Sequence, residues 1–344
     1  MTTVTLGRTG IRSGKNAFGA IPIQRISMEE STRLLHRAFD GGITFYDSAR
    51  AYRDSEEKLG AAFSDRRDRI TLATKSTAGD PASLRRDLEE SLRNLRTDHV
   101  DLYQFHNPGS CYLPGDGSGM YEAMEDFRRE GKIRFIGMTN HRHAVAEAAI
   151  ASGLYDTLQF PFSYLAIDRD IALVEQCRAA NVGFIAMKGL AGGVLSNAAA
   201  CYAFMMQYEN VLPIWGIQRE AELLEFLSFA EHPPKLDEEM AALIAADREA
   251  LYGEFCHGCG YCQPCPAGID IQNCARMGVM LKKLPQEQFL SPAWQEKMAK
   301  IENCILCGNC LRHCPYELNT PELLKSNYAI YKKFLQEHSI LSES

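Results

Sequence analysis

The chain has 344 residues, 46% of them hydrophobic and 24% charged, with a formal net charge of −7. That length accommodates one large domain plus a smaller one, and the composition is that of a globular protein with a sizeable core. The negative balance weighs against nucleic acid as a partner, and no apolar run approaches the length needed to span a membrane. The opening MTTVTLGRTGIRSG lacks the apolar core of a signal peptide, so the protein reads as cytoplasmic.

Short apolar stretches recur along the first two-thirds. Predicted strands are 16–20 (NAFGA), 43–47 (ITFYD), 70–74 (ITLAT), 100–105 (VDLYQF), 133–137 (IRFIG), 157–160 (TLQF), 183–187 (GFIAM) and 211–215 (VLPIW). Helical patterns lie between them. Ser27 with Glu30 forms a capping box before the first helix, and Gly41 and Gly42 end it. Leu84, Leu88, Leu92 and Leu95 fall on one face of another. Strand–helix alternation over residues 1–235 predicts a (β/α)8 TIM barrel. A doubly wound sheet shares the alternation, but no GxGxxG follows the first strand.

In such a barrel, chemistry sits at the C-terminal ends of the strands. Asp47, Lys75 and His106 end three consecutive predicted strands, and Tyr52 lies one short loop beyond Asp47. Thr139 and Asn140 end the next strand, and Gln159 lies in the one after. Singly, a strand-end aspartate is usually a cap and a lone histidine is usually packed or solvated. Together they point to a site.

The segments FYDSARAYRDSEEKLGAAF, ATKS, DLYQFHNP, GKIRFIGMTN and LQFPFSY, in this order, resemble the aldo-keto reductase family over roughly residues 4–232. That resemblance implies reduction of aldehydes or ketones, or oxidation of alcohols, with NADP or NAD. It places the catalytic tetrad at Asp47, Tyr52, Lys75 and His106. Tyr52 would donate the proton, and a buried lysine cation beside it would lower its pKa. Asp47 would hold Lys75, and His106 would bind the carbonyl oxygen. Thr139, Asn140 and Gln159 would hold the nicotinamide carboxamide. Lys188, Gly189 and Leu190, in KGLAGG, would lie against the pyrophosphate. Gly216, Gln218, Arg219 and Glu222 would line the adenosine segment. Three positions depart from the family pattern. Met187 stands where an aromatic ring commonly stacks on the nicotinamide, Gly189 replaces a common proline, and Glu222 aligns with an arginine of NADP-binding members. An acidic residue suits a ribose hydroxyl better than a 2'-phosphate, whereas Arg219 suits the phosphate. The loop 107–122, which follows His106, is a candidate substrate lid or an ordinary connection.

The remaining third, 236–344, reads as a mostly helical domain with a ferredoxin-like region at about 253–320. Of 12 cysteines, nine fall between 256 and 314. Such clustering suggests metal rather than disulfides. Cys304, Cys307, Cys310, Cys314 and Pro315 spell the ferredoxin run C-x2-C-x2-C-x3-C-P. Cys256, Cys259, Cys262, Cys265 and Pro266 repeat it one residue shorter. In the ferredoxin pattern the fourth cysteine crosses over. Cys256, Cys259, Cys262 and Cys314 are therefore assigned to one 4Fe-4S cluster, and Cys304, Cys307, Cys310 and Cys265 to a second. Paired zinc sites are the alternative, because zinc ribbons also use C-x2-C. Cys274 is left for the core. CHGCGYCQPCPAGIDI resembles the ferredoxin-like extension of one aldo-keto reductase branch. Three readings of the whole follow. The first is a nicotinamide-dependent carbonyl reductase carrying two clusters. The second is an iron–sulfur oxidoreductase exchanging single electrons between a ferredoxin-like partner and the substrate without nicotinamide. The third is an iron–sulfur sensor with a non-catalytic barrel.

Overall fold

The computed structural model describes residues 2–251 and 255–342. It divides into two compact units. The first spans 1–189 and 198–237; the second takes 190–197 and the chain from Glu238 onward.

The first unit opens with an antiparallel hairpin, β1 (Thr3–Thr5) and β2 (Arg12–Gly14). Eight parallel strands follow: β3 (Ala17–Gly19), β4 (Phe45–Asp47), β5 (Thr71–Ser76), β6 (Val100–His106), β7 (Ile133–Thr139), β8 (Thr157–Pro161), β9 (Gly183–Met187) and β10 (Val211–Gly216). They pair in sequence order, and β10 closes on β3 to complete a barrel. All eight overlap the predicted strands. The hairpin was not anticipated. Val4, Leu6 and Ile11 pack with Ala17, Phe45, Ala73 and Leu102, residues from the early parts of the barrel strands. The hairpin region thus covers the N-terminal end of the barrel and leaves chemistry to the other mouth.

The barrel helices are α1 (Met28–Asp40), α2 (Ser55–Phe63), α3 (Pro81–Leu95), α4 (Met120–Arg129), α5 (His143–Ser152), α6 (Asp168–Ala179), α7 (Ala198–Met206) and α8 (Glu220–Glu231). α1 carries the expected capping box, with Glu30 N donating to Ser27 Oγ at 3.1 Å and Ser27 N donating to Glu30 Oε2 at 2.9 Å. The leucine stripe of α3 is buried at all four positions.

The second unit contains α9 (Glu238–Ala250), α10 (Ile271–Cys274), α11 (Met277–Lys283), α12 (Pro292–Ala299), α13 (Asn309–His313) and α14 (Thr320–Ser342). Its core gathers Met277, Phe289, Met298, Leu324, Tyr331 and Phe334 around the cysteine runs. Two polar anchors hold α14 against the rest. Tyr331 Oη donates to the Phe289 carbonyl at 2.6 Å, and Asn327 receives Gly278 N at 2.7 Å. Cys274 is fully buried in this core, as expected. Among the described residues, no helix is long and apolar enough to cross a membrane.

Candidate active site and candidate cluster sites

Asp47 closes β4, Lys75 lies one residue from the end of β5, and His106 closes β6. The register sets Lys75 opposite Gln104, His106 opposite Thr139, and Thr139 opposite Gln159. Lys75 Nζ donates to Asp47 Oδ2 at 2.6 Å and to the Ser48 carbonyl. The two side chains are 1% and 3% exposed, respectively. Burial pushes the Asp47 carboxyl up and the Lys75 ammonium down, and their mutual attraction opposes both shifts. Tyr52, in the loop before α2, presents its ring centre 5.3 Å from Lys75 Nζ. Its ring meets that of His106 edge-on, with centroids 5.8 Å apart. The structure therefore brings all four tetrad candidates together at the C-terminal mouth. Burial first, and then the Lys75 cation, push the His106 imidazole down to about 3. It is neutral at physiological pH.

Gln104 also belongs to this centre. Its Nε2 stands 2.9 Å from Gln159 Oε1 and 3.4 Å from Asp47 Oδ1, while Gln159 Nε2 stands 3.4 Å from Asp47 Oδ2. Two amides thus flank the carboxylate that holds Lys75. Strand alternation carried the signal, since Gln104 lies two residues before His106 on the same strand face. Gly137 makes room for it: a Cβ there would come 2.7 Å from Gln104 Cγ and 2.6 Å from Thr157 Oγ1. Gly137→Ala is expected to destabilise the barrel by about 1–3 kcal/mol, measured by denaturant unfolding, because the interior cannot take the extra methyl without shifting.

The nicotinamide candidates are less uniform. Thr139 Oγ1 points to Met187 Sδ at 3.9 Å, so these two meet across the mouth beside Gln159. Asn140 is already engaged: its Nδ2 donates to the Pro108 carbonyl at 2.9 Å, and its Oδ1 accepts from His141 N and Arg142 N, both at 2.9 Å. One amide N–H remains for a ligand. Lys188 has a left-handed backbone. A Cβ at Gly189 would lie 2.6 Å from the buried Trp215 ring, which excludes the family's proline there. Trp215 is itself stacked on Phe226. Gly216 ends β10. Beyond it, Glu222 Oε2 accepts from Gln218 N and Arg219 N at 2.9 Å, and Arg219 Nη2 reaches Glu222 Oε1 at 2.7 Å. Burial raises the Glu222 carboxyl, but these hydrogen bonds outweigh it and hold the group below its ordinary value. Glu222 therefore occupies the α8 N-terminus and engages Arg219. Thr139, Met187 and Gln159 set a hydroxyl, a thioether and an amide together on neighbouring strands, a set that fits a nicotinamide carboxamide. The lid candidate 107–122 is tied internally, with Leu113 N and Ser118 N donating to Asp116, and to the segment before β8, with Tyr155 Oη donating to the Tyr112 carbonyl at 2.7 Å.

In the second unit the cysteines fall into two neighbourhoods. Five cysteines, Cys262, Cys265, Cys304, Cys307 and Cys310, line one cavity, with Pro266, Ile269, Ile271 and Leu324 in its apolar wall. Cys256 has Cys259 and Cys314 near it, and Cys262 has Cys256 and Cys259 near it, so Cys262 borders both neighbourhoods. Burial pushes the Cys256 thiol up, Gly258 N–H opposes this, and Cys259 and Cys314 are among its close charged neighbours. Cys262 is pushed up to about 12 by burial, then by Cys256 and Cys259, and least by Cys310. Among the described residues no three His, Cys, Asp or Glu side chains converge where a single ion would sit. Thiols gathered around an apolar cavity fit the soft, thiolate-rich donor set of an iron–sulfur cluster.

Fold and site together define an oxidoreductase of the (β/α)8 class. Residues 10–200 match the Aldo/keto reductase family and residues 255–319 match the 4Fe-4S dicluster domain. The chain belongs to the aldo/keto reductase family. The oxidoreductase YrpG of Bacillus subtilis is 32% identical over 226 residues, covering 56% of this chain and 68% of YrpG. The 6-dehydroglucose reductase of Novosphingobium aromaticivorans is 28% identical over 276 residues, covering 72% and 89%. A solved thermostable aldo-keto reductase in complex with epalrestat superposes with TM-score 0.61 at 28% identity, covering 72% of this chain and 99% of that one. A Klebsiella pneumoniae aldo-keto reductase in complex with NADPH gives TM-score 0.62 at 23% identity over 72% and 95%, a likeness of fold. Membership of an oxidoreductase family sets aside the reading of the barrel as non-catalytic.

Proposed function

We propose that the barrel interconverts a small carbonyl compound and its alcohol, with Tyr52 as the proton donor. The observation that carries this reading is the buried Lys75–Asp47 pair with Lys75 Nζ 5.3 Å from the centre of the Tyr52 ring. Bound nicotinamide supplies or accepts the hydride. The chain's own residues manage the proton. Tyr52 Oη gives its proton to the substrate oxygen as that oxygen gains negative charge, and the Lys75 cation stabilises the phenolate left behind. Asp47, flanked by Gln104 and Gln159, holds Lys75 in place. His106, being neutral, offers a hydrogen bond to the same oxygen. Tyr52 is only partly buried, so solvent returns its proton. Thr139, Gln159, Met187 and the free N–H of Asn140 would hold the nicotinamide. Glu222 favours the unphosphorylated ribose of NAD, because its carboxylate engages Arg219. The named activity of the Novosphingobium relative supports a polyhydroxylated carbonyl among the substrates to try.

In this reading the second unit carries two 4Fe-4S clusters with the crossed ligand sets given above, in a cytoplasmic setting that keeps thiols reduced. Single-electron exchange with a ferredoxin-like partner is the second reading. It is favoured by the exposed Cys307 beside Leu306, 76% exposed, and Ile305, 66% exposed. An anaerobic mix of reduced nicotinamide with cluster-replete protein and a panel of aldehydes and ketones separates the two. Nicotinamide oxidation that requires the carbonyl and survives in Cys307→Ser is expected. Inert nicotinamide, with clusters reduced by a one-electron donor and reoxidised by substrate, would overturn the first reading in favour of the second.

A further inference from the structure

We propose that Arg276 is a positioning residue that ties the loop after β9 to the first cysteine run, making the loop's grip on the dinucleotide depend on that run. The proposal rests on the nicotinamide reading above. The loop leaves β9 through Met187, Lys188 and Gly189, and its continuation 190–197 belongs to the second unit. Its backbone is left-handed at Lys188, Ala191, Gly192 and Gly193. The run closes as a single 3-10 turn, with Gly193 N and Leu195 N donating to the Leu190 carbonyl at 2.9 and 3.2 Å; the Gly192 carbonyl is left to a partner outside the loop.

What it packs against is Arg276, the residue just before α11. Arg276 Nη1 donates to the Gly192 carbonyl at 3.2 Å. The same guanidinium lies against Gly258, between Cys256 and Cys259: a Cβ there would come 2.8 Å from Nη1 and 3.2 Å from Cζ. A Cβ at Gly192 would come 3.3 Å from Nη1 and 3.6 Å from the His257 carbonyl. Both glycines have positive φ, +69° at Gly192 and +61° at Gly258. Two side-chain-free, left-handed turns therefore face one planar cation, one from the loop and one from the cysteine run. The Gly258 turn also supports a cluster ligand, since Gly258 N donates to Cys256 Sγ at 3.4 Å. A single side chain thus touches the dinucleotide-side loop and the surroundings of one cluster. Linkage then requires reciprocity: if the state of that cluster alters the hold of Arg276 on the loop, dinucleotide binding must alter the potential of the cluster.

The test uses the full-length, iron-replete chain. NADH and NADPH affinities are measured by fluorescence titration, and cluster midpoint potentials by anaerobic redox titration with and without nucleotide. Arg276→Ala is expected to weaken nucleotide binding about tenfold, the loss of one charge-assisted hydrogen bond. KM for the nucleotide should rise while kcat at saturation is kept. In the unaltered chain nucleotide should shift the potential of one cluster; in Arg276→Ala that shift should vanish, and Arg276→Lys should restore part of it. Gly192→Ala is the second variant, because it strains the left-handed loop backbone and presses on Arg276 Nη1 at 3.3 Å, while meeting the cysteine run only in ordinary contact at the His257 carbonyl, 3.6 Å away; it too should weaken binding at full iron content. Wild-type nucleotide affinity in both Arg276→Ala and Gly192→Ala, or a nucleotide-induced shift that persists in Arg276→Ala, overturns the proposal. Absence of nicotinamide binding in the unaltered chain overturns instead the reading on which it rests.

Discussion

Tyr52→Phe is expected to lower kcat for carbonyl reduction by about 100-fold to about 10,000-fold, the usual contribution of a positioned proton donor. Nucleotide affinity should be unchanged, because the phenol acts on the substrate oxygen and the ring remains. The prediction follows from the geometry at the mouth. His106 faces the Tyr52 ring edge-on and is held neutral, its imidazole pushed down to about 3 by burial and by Lys75. A neutral imidazole is a poor replacement proton donor, so it cannot rescue the variant by taking over the role of Tyr52. Steady-state rates with saturating nucleotide, together with a fluorescence titration of nucleotide binding, check both halves. A Tyr52→Phe enzyme with kcat within a few-fold of the original would remove Tyr52 from the mechanism.

The second large effect concerns the crossed cysteine assignment. Cys265 lines the same cavity as Cys304, Cys307 and Cys310, although it belongs to the other run; Cys262 lines it too but also neighbours Cys256 and Cys259. Cys265→Ser and Cys304→Ser should therefore each lower iron from about eight to about four per chain. The double variant should lose no more than either single one, because both residues serve the same cluster and their losses are not additive. Iron and sulfide analysis of anaerobically purified protein reads this out. If the double variant retains no iron while each single variant retains half, each run holds its own cluster and the crossing is wrong. Cys274→Ser should leave the iron content unchanged, since its thiol lies in the core against the Lys297 carbonyl.

Much of the barrel was legible in local pattern. The eight strands are short β-rich runs at regular intervals, and the α3 leucines repeat at helical spacing, so neighbours along the chain carry the signal. Asp47, Lys75 and His106 were legible because each is a polar residue ending an apolar strand. The cysteine runs were legible because ligand spacing is itself a local property. The β1–β2 hairpin was missed: its strands have three residues each, and β1 buries only Val4, too little for a period to show.

Other features depend on residues far apart in sequence. Gln104 became part of the site only because β6 lies beside β5 and β7 in a closed sheet, which places it near Asp47 and Gln159. Asn140 looked available for a ligand, yet the turn after β7 engages most of its amide. The glycine at 189 looked like a departure from a family pattern until Trp215, 26 positions on, came to lie where a side chain would clash. On sequence alone, 190–197 belonged with the barrel, whereas in the folded chain it packs with the second unit. Periodicity and ligand spacing are written into consecutive residues, so the barrel, the polar strand ends at Asp47, Lys75 and His106, and the cysteine runs could be read without coordinates. Which buried amide supports the tetrad, and that Arg276 meets both Gly192 and Gly258, are matters of close packing between distant segments. Only the folded chain brings those surfaces within hydrogen-bonding distance.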